Sequence, residues 1–217
     1  MQTVLNDVEV RVLGSLIEKQ VTTPEYYPLT LNSLMLACNQ KNNRHPVTSF
    51  DETTVAEAVE SLREKNLAYV HYGSTSRVPK YKHVMPEVLH LTHPELAAMC
   101  VLMLRGSLTI GELRGSAARL YEFSSLEEAE ATLSTLISRE PEPLVTRLPR
   151  QPGQKEARFA HLLSGAVSAE AEPAPRSRPA GQNERERIEN LEAQVAALKT
   201  DMEGLKQQLE EFRRQFE

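Results

Sequence analysis

The sequence predicts a mainly helical α+β fold, and three observations carry that prediction. Apolar residues recur at helical spacing through most of residues 1–163, one order of helices and hairpin-like segments occurs twice, and a heptad pattern closes the chain. Between the repeated part and the heptads lies a stretch with almost no large apolar side chain.

The first copy runs from about Leu5 to Val84. It opens with LNDVEVRVLGSLIEKQ, where Asn6 is placed to cap a helix and Val8, Val12, Leu13, Leu16 and Ile17 fall on or near one face. A second helix follows in LTLNSLMLACNQ, with Leu31, Leu34, Met35 and Cys38 at helical spacing. A third, DETTVAEAVESLREKN, supplies Val55, Val59 and Leu62, and NLAYVHYGSTSRVPKYKHV reads as strand, glycine-containing turn and strand.

The second copy, about Leu91 to Leu163, keeps the order. LTHPELAAMCVLMLRG, TIGELRGSAARLY and SSLEEAEATLSTLISRE are its helices, and PLVTRLPRQPGQKEARFAHLL is its hairpin. Positions correspond over short stretches: Glu9 with Glu95, Leu16 with Leu102, Val59 with Leu133, Leu62 with Leu136, and Tyr81 with Phe159. Three helices followed by a two-stranded wing form the winged-helix arrangement, so the expected organisation is two tandem winged-helix domains, residues 1–86 and 87–163.

Residues 164–183, SGAVSAEAEPAPRSRPAGQN, have too little apolar surface to order themselves and are expected to be a flexible linker. Residues 184–217 are expected to form a C-terminal coiled-coil helix. Ile188, Leu191, Val195, Leu198, Met202, Leu205, Leu209, Phe212 and Phe216 follow at alternating spacings of three and four, a stripe that stays buried only when helices supercoil. With Ile188 at position a, a parallel pair sets Arg187 against Glu192 and Asp201 against Lys206, with no like-charge clash. The expected assembly is a homodimer through this helix; folding back or another bundle geometry is the alternative.

Composition narrows the function classes. The chain has 217 residues, 25% of them charged, and a net charge of −5, which is not the balance of a protein that binds nucleic acid over its whole surface. The N-terminus has no secretory pattern, and no run reaches the roughly 18 apolar residues of a membrane span, so a soluble cytoplasmic protein with no membrane contact is expected. Cys38 and Cys100 fall within apolar helical patterns and are expected to be buried reduced thiols.

The residues that carry possible contacts are charged. A winged helix that reads DNA lays its third helix in the major groove, yet here that helix carries Glu52, Glu57, Glu60 and Glu64 in the first copy and Glu127, Glu128 and Glu130 in the second. Carboxylates there repel phosphates; they also complement a helix N-terminus, with Ser124 or Ser125 as cap. Basic residues lie on the wings instead: Arg77, Lys80 and Lys82 on the first, Arg147, Arg150, Lys155 and Arg158 on the second. They are candidates for partner or phosphate contact, or solvated charges that keep the hairpins from pairing edge to edge.

The run ACNQKNNRHPV, Ala37 to Val47, poses the same choice. Helix termination accounts for its asparagines, with Asn39 or Asn42 closing the helix in a left-handed conformation, and Pro46 presses His45 toward an extended one. Gln40, Lys41 and Arg44 are more than a helix stop needs and are candidate contacts; so are Arg114 and Arg119, with Tyr121, in ELRGSAARLYEF. Glu18 and Lys19 read as charges at a helix end rather than a catalytic pair. His90 and His93 have no further metal ligand at a suitable spacing, and Thr92 reads as a cap ahead of Pro94. Phosphate loops, dinucleotide turns and nucleophile elbows are absent from the sequence, so no catalytic residue, metal or cofactor is expected.

The runs LIEKQVTTPEYYPLTLNSLMLACNQKNNRHPV and ELRGSAARLYEF resemble the bacterial YceH family of uncharacterised proteins. That resemblance covers nearly the whole chain and implies tandem winged-helix domains with a C-terminal helical tail; it implies no activity. The residues themselves point to a non-enzymatic interaction or adaptor protein with an unknown protein partner. The alternative is a transcription-regulator-like DNA binder that uses its wings and the 37–47 loop.

Overall fold

A computed structural model describes residues 4–72, 78–150, 154 and 156–165. The architecture is α+β. In chain order it comprises α1 (Asp7–Thr22), a 3-10 turn (Pro24–Tyr26), β1 (Leu29–Thr30), α2 (Leu31–Cys38), α3 (Glu52–Glu64), β2 (Ala68–His71), β3 (Lys80–His83) and the short α4 (Met85–Leu89). Then follow α5 (His93–Arg105), α6 (Ile110–Ala117), α7 (Leu126–Ile137), β4 (Val145–Arg147) and β5 (Phe159–His161). The linker beyond Gly165 and every heptad position from Ile188 to Phe216 lie outside the described residues, as do Arg77 and Lys155.

Six of the helices begin on a short polar side chain. Asn6 Oδ1 accepts from the Glu9 N–H at 2.9 Å while Glu9 Oε2 accepts from the Asn6 N–H at 2.7 Å, a reciprocal cap at the start of α1. Thr92 and Glu95 pair in the same way at α5, and Thr109 and Glu112 at α6. Thr30, Asp51 and Ser125 cap α2, α3 and α7. Each such cap contributes about 1 kcal/mol.

Positions matched between the two copies share their surroundings. Leu16 and Leu102, Val59 and Leu133, and Leu62 and Leu136 are all fully buried, and Tyr81 and Phe159 occupy the second strand of each hairpin. In the first copy the hairpin gains a third strand: the sheet order is β1-β3-β2, antiparallel, with Leu29 opposite Tyr81 and Val70 also opposite Tyr81. In the second copy β4 pairs β5 with Val145 opposite His161, and a single bridge between Leu108 and Phe159 stands where the third strand would be.

The described residues make one compact unit with a continuous apolar core. At its centre α1 and α5 lie against each other, which is why α1 is buried from Glu9 to Glu18 and α5 from Glu95 to Leu104. One face of each helix serves its own copy and the other serves its neighbour. The approach is close at Gly14, where a Cβ would lie 2.9 Å from Leu104 Cδ2 and 3.3 Å from Met103 Cβ. The Cys100 thiol, 3.4 Å from the Gly14 carbonyl oxygen, donates to it. A further tie is the Leu5 N–H, which donates to the Leu163 carbonyl at 2.8 Å.

Candidate functional site: a charged seam between the two copies

The 37–47 segment closes α2 and then crosses to α5. Asn39 caps α2, but with φ −89° it is not left-handed, and Asn42 is not the left-handed residue either; Asn43, at φ 57°, makes that turn. The Asn39 side-chain amide instead grips Phe50 at two points, accepting from its N–H and donating to its carbonyl, both at 2.8 Å. A two-point grip fixes the loop by its far end, and leaves the reversal to Asn43.

Arg44, a candidate for partner or phosphate contact, is interior: its side chain is 0% exposed. Its guanidinium donates to the Ala37 carbonyl through Nε and Nη2 and to the Asn43 carbonyl through Nη1, and pairs with Glu18 Oε2 at 2.6 Å. The carbonyl at the end of α2 and a buried carboxylate thus occupy the donors that a phosphate would have needed. Arg11 works beside it, donating to the Cys38 carbonyl at 3.2 Å and the Pro46 carbonyl at 2.7 Å. His45 N–H donates to the Leu104 carbonyl at 2.9 Å, and Arg105 donates to Asn43 Oδ1 at 3.3 Å.

Glu18 also receives a cation from the second copy. Arg119, just beyond α6, reaches Glu18 Oε1 at 3.3 Å while 59% of its side chain stays exposed. The structure therefore brings two sequence candidates from different copies, Arg44 and Arg119, onto one carboxylate. Glu18 is only 4% exposed, so the reading of it as an ordinary charge at a helix end is corrected: it is the shared anion of the seam. The signal for it was present, since Arg11 and Glu18 stand seven residues apart and so share one face of α1. A second buried acid, Glu9, lies at the other end of α1. Burial pushes its carboxyl up, but Lys65 Nζ at 2.6 Å, Ser61 and the Asn6 N–H outweigh that and hold it below the usual carboxylate range.

The other candidates are distributed. Arg114 fastens the α6–α7 turn, donating to the Phe123 carbonyl at 3.1 Å and the Ser124 carbonyl at 3.3 Å. In that turn Tyr121 donates to Glu128 at 2.6 Å and stacks edge-on against Phe123 and His93. Arg158 donates to the Ser107 carbonyl at 2.7 Å and to Glu112 at 3.2 Å. Lys82 sits 4.4 Å over the Tyr69 ring, and Lys80 lies opposite His71 in the sheet. Gln40 is half-buried, while Lys41, Arg147 and Arg150 are exposed. On the third helices Glu52, Glu57, Glu60, Glu64, Glu127 and Glu130 face solvent. Of these Glu60 pairs with Arg63 at 2.5 Å.

Both cysteines are buried free thiols. Burial pushes the Cys38 thiol up to about 11 and Cys100 higher still, which keeps both protonated at neutral pH. Sequence reasoning also passed over His83. Only 4% exposed on β3, it has both ring nitrogens without a hydrogen-bond partner, and burial, with Lys82 adding to it, pushes it down to about 4. Among the described residues no group of three or more His, Cys, Asp or Glu is placed to hold a metal, and no helix is long and apolar enough to cross a membrane.

The class these features define is an α+β protein with a duplicated helix-helix-helix-hairpin order and a charged seam joining the copies. A family described as "Protein of unknown function, DUF480" matches residues 5–154. UPF0502 proteins of Opitutus terrae and Geobacter sulfurreducens are 52% and 51% identical, the first over 90% of this chain and 84% of the relative, the second over 100% of both. One from Pelobacter propionicus is 49% identical over 100% of both. The chain belongs to this uncharacterised family, in agreement with its resemblance to the YceH proteins.

Proposed function

We propose that this chain is a non-enzymatic cytoplasmic adaptor: two winged-helix modules used as protein-binding surfaces and brought together as a homodimer by the C-terminal heptad helix. One observation supports the reading above the rest. Cations of the described residues are largely engaged within the chain, as with Arg44, Arg63, Arg114, Arg119, Arg158 and Lys65, while Glu52, Glu57, Glu64, Glu127 and Glu130 of α3 and α7 are exposed. A surface of that kind is a poor host for a dense row of phosphates and a good one for a partner with basic groups.

The DNA-binding alternative rests on Lys41, Lys80, Arg147 and Arg150, which have no ion pair within the described residues. Titrating the full chain into labelled duplex DNA at near-physiological salt separates the two. The adaptor reading expects no submicromolar binding and one stoichiometric protein partner recovered from cell lysate, lost when Glu52, Glu57 and Glu64 are changed to Lys. Submicromolar DNA binding weakened by Lys41→Ala and Lys80→Ala overturns it. Sedimentation of the full chain against one ending at Gly165 tests the dimer: loss of mass on truncation is expected, and equal monomers refute it.

A further inference from the structure

We propose that the outward face of the first sheet is a docking surface for an acidic segment of a protein partner, held extended across Lys80 and Lys82 beside Tyr69 and His71. The observation that carries this is where the lysines stand. The sheet order β1-β3-β2 puts both on the central strand, and the register sets Tyr69 opposite Lys82 and His71 opposite Lys80 on one flank, with Thr30 opposite Lys80 on the other. Tyr81 and His83, which alternate with the lysines along β3, are buried, so Lys80, Lys82 and their cross-strand partners share the opposite face.

Protection of the hairpin against edge-to-edge pairing does not account for this placement. Lysines with that role stand on an edge strand, whereas here the edge strand β2 carries Tyr69 and His71 and the charge sits one strand further in. Cross-strand pairs of opposite sign would also account for it, yet no carboxylate belongs to any of the three strands. Among the described residues neither ammonium makes a hydrogen bond or ion pair, and Lys82 Nζ rests 4.4 Å over the Tyr69 ring instead. Two cations on a ring-bearing face are thus unmatched in a chain of net charge −5.

Charge and spacing select the occupant. Alternate residues of a strand recur at roughly 6.5–7 Å, and an extended peptide has the same repeat, so carboxylates two residues apart on a bound segment meet Lys80 and Lys82 in step. Tyr69 and His71 follow at the same interval and offer ring surface to the methylenes of those acidic side chains. A nucleic-acid strand is a poorer match, since two cations neutralise two phosphates and the exposed carboxylates of α3 in the same copy repel the rest. The proposal rests on the adaptor reading in taking its ligand to be protein, but it uses strand residues and not the glutamates of α3 and α7.

The test uses the full chain and a labelled synthetic peptide that alternates glutamate with threonine. Peptide anisotropy and the backbone amide resonances of the protein are followed at near-physiological salt, against the same peptide with glutamine for glutamate and against labelled oligothymidylate. Saturable binding of the glutamate peptide is expected, with shifts centred on Tyr69, His71, Lys80 and Lys82. Lys80→Gln with Lys82→Gln should weaken it about tenfold, equivalent to ~1.4 kcal/mol, and leave the thermal midpoint nearly unchanged. Lys80→Glu with Lys82→Glu should transfer binding to a peptide alternating lysine with threonine, a gain that damage to the fold would not produce. Absence of saturable binding, binding that survives the glutamine substitutions, or equal binding of the neutral peptide overturns the proposal; tighter binding of oligothymidylate gives the face to nucleic acid and overturns it too. Any of these results beside a lysate partner that still depends on Glu52, Glu57 and Glu64 sinks this proposal and leaves the adaptor reading standing.

Discussion

The two copies differ most in how they hold the connection between their second and third helices. In the first, residues 39–51 form a long loop anchored by fully buried charge: Arg44 and Arg11 take the carbonyls at the end of α2, and Glu18 neutralises Arg44. In the second, residues 118–125 form a short turn held by the exposed Arg114, which also takes backbone carbonyls but has no buried acid behind it. One residue type does the same local work in both places. The difference lies in what the longer loop also reaches, since His45 and Asn43 bind the end of α5. Extra chain in the first copy is used to join the second, and its charges are buried for that reason.

Breaking the buried anchor should have the largest effect. Glu18→Ala leaves the Arg44 guanidinium in the interior with only carbonyls for partners, and a loss of about 3–5 kcal/mol in urea unfolding is expected. A loss under about 1 kcal/mol would show that the anchor does not hold the copies together. Next comes His83. Its folded-state pKa, pushed down to about 4 by burial, lies below the usual 6.5, so the unfolded chain takes up the proton first. The stability it contributes is complete above pH 6.5, falls as pH drops from 6.5 to 4, and is lost below that, by roughly 3 kcal/mol in all. Substituting His83→Leu should flatten the stability profile across that window, as followed by urea midpoints at several pH values.

Gly14→Ala tests the seam by sterics rather than charge. The new Cβ would meet Leu104 and Met103, and a loss of about 1–3 kcal/mol is expected from overpacking, with the matching change at the open Gly115 close to neutral or stabilising. The smallest effect belongs to Arg114→Ala, about 1 kcal/mol, because the two carbonyls it leaves at the α6–α7 turn are within reach of water. If Arg114→Ala proved as damaging as Glu18→Ala, the contrast between the two anchors would fail.

Much of the fold was legible because it is local. The caps Asn6, Thr92 and Ser125, the helical stripes, and the matched apolar positions of the copies each need only a few neighbouring residues to be recognised. The third strand of the first sheet was not, because Leu29 and Thr30 are two residues long and are strand only through pairing with β3. The seam was harder still. Arg44 and Arg119 lie far apart in sequence, and nothing local distinguishes an arginine that will be buried from one that will be wet.

By itself, then, the sequence determined where helices begin, which of their faces are apolar and how the pattern repeats, since periodicity and capping act within a turn or two of chain. Whether α1 and α5 bury one face or both was decided by tertiary structure, and with it the fates of Glu18, Arg44 and His83. A charge costs little in water and a great deal inside unless matched, and the match for Glu18 comes from residues 26 and 101 positions along the chain.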